Sequence, residues 1–118
     1  MPGDPQRWTA APLESDIFRC EVARERGTAR VRALGELDIA TVPILEAEFA
    51  ALRDARVEHL ILDLSELEFL DLSGLRCIVA FDRTARREGF SFAIVRGQRN
   101  VQRMFEMTNT DAGLRFLG

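Results

Sequence analysis

Leu60-Ile61-Leu62-Asp63-Leu64-Ser65-Glu66-Leu67-Glu68-Phe69-Leu70-Asp71-Leu72-Ser73-Gly74-Leu75 is the stretch from which the fold is read. Leu60 to Leu64 form a short, nearly all-apolar run, the pattern of a strand covered on both faces. Ser65 to Leu70 reads as a loop. Asp71 then stands where a helix cap belongs, placed to accept from the N–H of Ser73 or Gly74. Leu75, Ile78, Val79 and Ala85 follow at helical spacing, and Gly89 supplies the residue type that most readily closes a helix. A buried strand feeding a capped helix is the building unit of an α/β sheet.

Working outward from this unit, the rest of the chain falls into the same pattern. Phe18, Cys20 and Val22 alternate with Arg19, Glu21 and Arg24; after Glu25-Arg26-Gly27-Thr28, Ala29, Val31 and Ala33 alternate with Arg30 and Arg32. Two period-two runs around a short turn make an antiparallel hairpin. Val42, Leu45, Phe49 and Leu52 then mark a helix, with Thr41 as N-cap and Pro43 in the first turn, where a missing N–H costs little. Downstream, Phe90 to Val95 is another strand, Val101, Met104 and Phe105 mark a third helix, and Gly113 to Leu117 is an edge strand or a docked tail. The fold class is α/β: a mixed β-sheet begun by a hairpin, continued by alternating strands and helices in parallel crossovers, with the helices packed against it. Residues 1–14, carrying Pro2, Pro5 and Pro12, read as a loose N-terminal arm, and 15–118 as one domain. Within the arm, Trp8 either packs on the domain surface or meets a partner.

Composition removes most chemistries. The 118 residues hold one core, and a chain 47% hydrophobic and 30% charged is expected to be globular. No apolar run reaches the roughly 18 residues that span a bilayer, and no signal pattern opens the chain. A net charge of −3 speaks against a basic nucleic-acid binder. All 16 basic residues are Arg, which excludes a phosphate-loop lysine, a Schiff base and a lysine base together. His59 is the single histidine and precedes a strand without an acid partner, so it reads as a surface residue. Cys20 and Cys77 are far apart and form no CxxC pair; no metal site and no cofactor are implied, and free thiols suit a cytoplasmic setting. Cys77, between apolar helix positions, reads as a small buried hydrophobe, and Met104 and Met107 as packing or a soft contact surface.

In open α/β sheets, function gathers at the carboxyl ends of the parallel strands. Two segments are expected there: Gly35-Glu36-Leu37-Asp38 and Phe69-Leu70-Asp71-Leu72-Ser73-Gly74-Leu75. At the second, two readings stand open. Asp71 and Ser73 serve only to start the helix, or the electropositive helix start holds an anion. Gly74 in the first turn permits close approach of another backbone. Asp38 likewise either orients the loop before Thr41 or belongs to a site. Charge is uneven: Leu34 to Asp71 is strongly acidic, and Arg76 to Arg103 strongly basic. Such asymmetry either steers a charged partner or is neutralised between neighbouring elements. Arg83, Arg86 and Arg87 complement their own helix terminus, whereas Arg76, one turn from Leu72, is an interface candidate.

Taken together, Gly35 to Asp38, Leu60 to Leu64 and Phe69 to Leu75, with Val101-Gln102-Arg103-Met104-Phe105-Glu106-Met107-Thr108 similar to a third-helix signature, resemble the STAS domain of bacterial anti-sigma factor antagonists. The resemblance spans roughly residues 15–117. It implies a non-enzymatic regulator that binds an anti-sigma factor, often a serine-protein kinase, and so frees a sigma factor, without touching nucleic acid or membrane, as a monomer or weak dimer. With Arg76 added from its place one turn beyond Leu72, the expected partner-binding residues are Asp38, Asp71, Leu72, Ser73, Gly74, Leu75 and Arg76. In the family the phosphorylated serine directly follows the aspartate that matches Asp71. Here that position is Leu72, so phosphoregulation is lost or displaced to Ser73. Two rival classes remain: a scaffold or ligand sensor of the same fold, and a hydrolase using Asp71 and Ser73, which lacks a base beside the serine.

Overall fold

The computed structural model describes residues 8–14 and 17–118. Seven strands form one mixed sheet. The hairpin is β2 (Phe18–Glu25) and β3 (Thr28–Leu37), antiparallel in unbroken register from Phe18↔Gly35 to Glu25↔Thr28. Upstream, β1 (Thr9–Glu14) adds an outer antiparallel strand on β2. This corrects the expectation of a loose arm for Thr9 to Glu14; residues 1–7 lie outside the described residues. The prolines misdirect the reading because an outer strand tolerates Pro12, and the ladder is irregular between Ala10 and Glu14, on either side of it. Trp8 lies against Arg32, whose guanidinium carbon is 4.0 Å from the ring centroid.

On the other side of β3 the sheet turns parallel. β4 (His59–Asp63) pairs with the first half of β3, and β6 (Ser91–Val95) and β7 (Phe116–Leu117) follow outward. The stretch expected to be a loop contains a second parallel partner of β3. β5 (Leu67–Leu70) runs beside the last residues of β3, with Gly35↔Leu67, Glu36↔Phe69 and Leu37↔Leu70. β4 and β5 thus share one edge of a long strand. At the irregularity Gly35 takes φ +95°, and an added Cβ there would meet the Ile17 carbonyl oxygen at 2.0 Å.

Three helices, α1 (Val42–Asp54), α2 (Leu72–Glu88) and α3 (Arg99–Met107), bury Leu45, Phe49, Ile78, Phe81, Val101 and Phe105 in one cluster with Phe18, Cys20, Val31 and Leu62 of the sheet. Phe49 and Phe81 stack at 3.9 Å between α1 and α2, with Phe92 edge-on to both. The opposite sheet face carries Arg19, Glu21, Arg30, Arg32 and half-buried Ile61, so β4 is not sealed by helices on both sides as its apolar run suggests. Buried Asp63 compensates there, accepting from the amide and hydroxyl of Ser65 and facing Arg30 and Arg32 at 3.7 and 3.9 Å.

Candidate functional site

The register Leu37↔Leu70 delivers the next residue of each strand, Asp38 and Asp71, to the same end of the sheet. Asp71 is the N-cap of α2, in extended conformation, with its Oδ1 accepting from the Gly74 N–H at 2.9 Å. Its own N–H donates to the Leu37 carbonyl at 3.2 Å, and its Oδ2 accepts the Ile39 N–H at 3.3 Å. One carboxylate therefore starts a helix and ties down the loop from β3 to α1.

Gly74 is required by contact. A Cβ there would lie 2.6 Å from Leu70 Cδ1 and 2.9 Å from the Leu37 carbonyl oxygen, so α2 can begin this close to β3 and β5 only without a side chain.

Asp38 organises its own loop. Its Oδ1 accepts from the N–H groups of Ala40 and Thr41 at 2.9 and 3.1 Å, and its carbonyl accepts from Val42 at 2.9 Å. Thr41 occupies the expected N-cap position of α1 but does not cap it through its side chain. Its hydroxyl donates to the Glu36 carbonyl at 2.8 Å and accepts from the Asp38 N–H at 2.9 Å, bracing the loop instead.

Two apolar side chains stand exposed on this framework: Leu72 at 44% and Ile39 at 77% of their full accessibility. Arg76 is exposed one turn further along α2, and Ser73 is half-buried. Leu75, expected among the contact residues, is 2% exposed, and Gly74 is buried as well. Both point into the packing because they occupy the core-facing side of the first turn, so they build the surface more than they display it. Ile39 carries little signal in the sequence beyond being an apolar residue directly after Asp38.

The remaining candidates lie elsewhere. His59 begins β4, at the opposite end of the sheet from Asp71, and shares a 2.8 Å hydrogen bond with Ser91. Burial pushes the Cys20 and Cys77 thiols up to about 12, aided by Glu48 and Glu46 respectively, so both remain protonated and act as small hydrophobes. Met104 packs against the core while Met107 is exposed. Neutralisation between the acidic and basic segments is slight. Among the described residues, the ion pair joining α1 to α2 is Arg53 with Glu88, of opposite sense to the segment charges, and Arg76 and Arg83 enter no ion pair.

The fold is that of a small α/β module: one mixed sheet carrying three helices, with an aspartate-capped helix start at the carboxyl end of its parallel strands. The STAS domain profile matches residues 19–116. An anti-sigma F factor antagonist from Paenibacillus polymyxa is 30% identical over 92 residues, which cover 77% of this chain and 79% of that one. A crystal structure of an anti-sigma factor antagonist from Mycobacterium paratuberculosis superposes with a TM-score of 0.78 at 28% identity, covering 92% of this chain and 89% of the other. The Bacillus cell fate determinant SpoIIAA in its phosphorylated form shares the fold, with a TM-score of 0.63 at 17% identity over 95% of this chain and 92% of that chain. The protein belongs to the STAS domain family.

Proposed function

We propose that this protein is an anti-sigma factor antagonist, binding an anti-sigma factor of serine-kinase type through the turn from Asp71 into α2 and so releasing a sigma factor. The observation that carries this reading is the exposed apolar pair Leu72 and Ile39, set on a loop that Asp71 fixes from both sides, in a chain similar to two named antagonists. Such a patch is preorganised, so docking need not order it, which favours tight association. Asp38 and Asp71 contribute mainly by holding the loop and the helix start. Leu72, Ile39, Arg76 and Ser73 supply contact.

Binding rather than catalysis fits the same residues. Ser73 has no histidine near it, since His59 lies at the far end of the sheet, and a serine without a base is a poor nucleophile.

Leucine at position 72 removes the hydroxyl that the family resemblance puts there. A phosphate would add about −1.5 to −2 charges at a helix start, where the fold tolerates negative charge by about 0.3–1 kcal/mol. Its effect would fall on the interface, where an unpaired buried charge costs a few kcal/mol. With Leu72 in that place the surface is permanently permissive, and the antagonist is constitutive with respect to its kinase. In a reconstituted transcription assay with a cognate sigma factor held by its anti-sigma factor, the protein should restore transcription equally with and without prior incubation with kinase and ATP. Transcription that stays repressed at saturating protein would refute the assignment.

A further inference from the structure

Beside the Asp71 turn, the surface continues as a groove of about 490 Å³ between α2 and the segment after α3. Leu72, Leu75 and Val79 line it on the helix side, with Thr108 and Thr110 opposite. A second hollow of about 330 Å³ shares Val79, Arg83 and Thr110 with it and extends toward Asp82, Arg86 and Leu114. The two form one trough along α2.

The charge on the first part of this trough is one-sided. Arg76 and Arg83 both line its first part, and among the described residues neither is in an ion pair. Arg86, further along, is already engaged: its Nε donates to Asp82 at 2.9 Å and its Nη2 to the Gly113 carbonyl at 2.6 Å. Asp82 is buried and pairs with Arg86 through one oxygen, and Arg83 makes no ion pair with it. Positions 76 and 83 are two helical turns apart, a rise of about 10 Å. An apolar floor with two uncommitted guanidinium groups at that spacing matches a segment carrying apolar residues and two carboxylates at a similar separation.

Resting on the antagonist reading above, we infer that the trough receives an acidic, amphipathic segment of the anti-sigma factor, so that docking runs from the Asp71 turn along two turns of α2, with Arg76 and Arg83 pairing carboxylates of the partner. Charge complementarity selects this occupant over a second copy docked about a two-fold axis, which would set the same Arg pair against itself.

The test is a titration of the purified full-length protein against a purified serine-kinase-type anti-sigma factor at two salt concentrations, using wild type, Arg83→Glu, Arg76→Glu/Arg83→Glu, Leu72→Asp and the charge-matched control Arg87→Glu. Circular dichroism on each variant establishes that it is folded. Arg83→Glu should weaken binding at least tenfold and the double variant further, with a flatter salt dependence than wild type, while Arg87→Glu stays within twofold. Arg variants within twofold of wild type, while Leu72→Asp abolishes binding, would overturn the trough and leave the turn standing. Arg87→Glu weakening binding as much as Arg83→Glu would reduce the effect to overall charge and also overturn it. No binding by wild type would remove the antagonist reading, and the trough with it.

Discussion

Asp71 and Ile39 lie 32 positions apart in the chain, yet the Asp71 carboxylate accepts the Ile39 N–H at 3.3 Å through one oxygen while the other caps α2 at Gly74. The loop after β3 and the first turn of α2 are therefore one unit. The exposed side chains on it, Ile39 and Leu72, keep a fixed relation because a single carboxylate holds both backbones.

Removing that carboxylate should loosen both. Asp71→Ala is expected to cost about 1–2 kcal/mol, in the range of a lost N-cap, whereas Asp71→Asn keeps an acceptor and should cost far less. Urea unfolding midpoints of the two variants check this. Equal losses would mean that charge, rather than the hydrogen-bonded cap, is what the fold uses.

Gly74→Ala sets two effects against each other. Alanine favours a helix over glycine by about 1 kcal/mol. Its Cβ, however, would be forced to 2.9 Å from the Leu37 carbonyl oxygen and 2.6 Å from Leu70. Backbone cannot yield as a side-chain tip does, so overpacking of about 1–3 kcal/mol should win. The variant should unfold at lower denaturant than wild type; a gain in stability would contradict the close approach.

Restoring a hydroxyl at position 72 should restore a switch. Leu72 is 44% exposed at the first position of α2, so Leu72→Ser should leave the fold nearly unchanged. Incubated with a cognate kinase and ATP, Leu72→Ser should gain one phosphate by intact mass and lose affinity, while wild type gains none. A phosphate on wild type that disappears in Ser73→Ala would move the switch to Ser73.

The two thiols set an alkaline limit. Both are pushed up to about 12 in the fold, against 9.0 for an ordinary thiol. A raised folded value means that the unfolded chain loses these protons first. The stability they contribute is therefore complete below about pH 9 and declines as pH rises toward 12, at up to about 1.4 kcal/mol per unit for each thiol. Unfolding free energies across that range should fall more gently in Cys20→Ala/Cys77→Ala. A slope unchanged by the double substitution would show that other groups govern alkaline unfolding.

How much of this is written locally in the chain depends on the range of the interaction. The hairpin of β2 and β3 is legible because Arg19, Glu21, Arg30 and Arg32 alternate cleanly with core residues. Asp71 as a cap and Gly89 as a stop are legible because caps act within a turn, and the structure has both. β5 is not, since Leu67 to Leu70 is only four residues and becomes a strand by pairing with the end of β3, past the irregularity at Gly35. β1 is masked by Pro12, which an outer strand accepts. Thr41 sits at the expected N-cap, but Asp38 and Glu36 compete successfully for its hydroxyl. Within the site, Asp71 and Leu72 follow from motif and spacing. Ile39 joins them through one long-range hydrogen bond that no local pattern announces.

Calorimetric titration of a purified cognate anti-sigma factor with wild-type protein and with Leu72→Asp tests the docking surface most directly. Wild type should bind with a defined stoichiometry, and the carboxylate, placed on an exposed position of an intact fold, should weaken binding by at least a hundredfold without lowering the unfolding midpoint appreciably. Affinity unchanged by that charge would mean that the partner docks elsewhere, and that the turn from Asp71 into α2 is only the start of a helix.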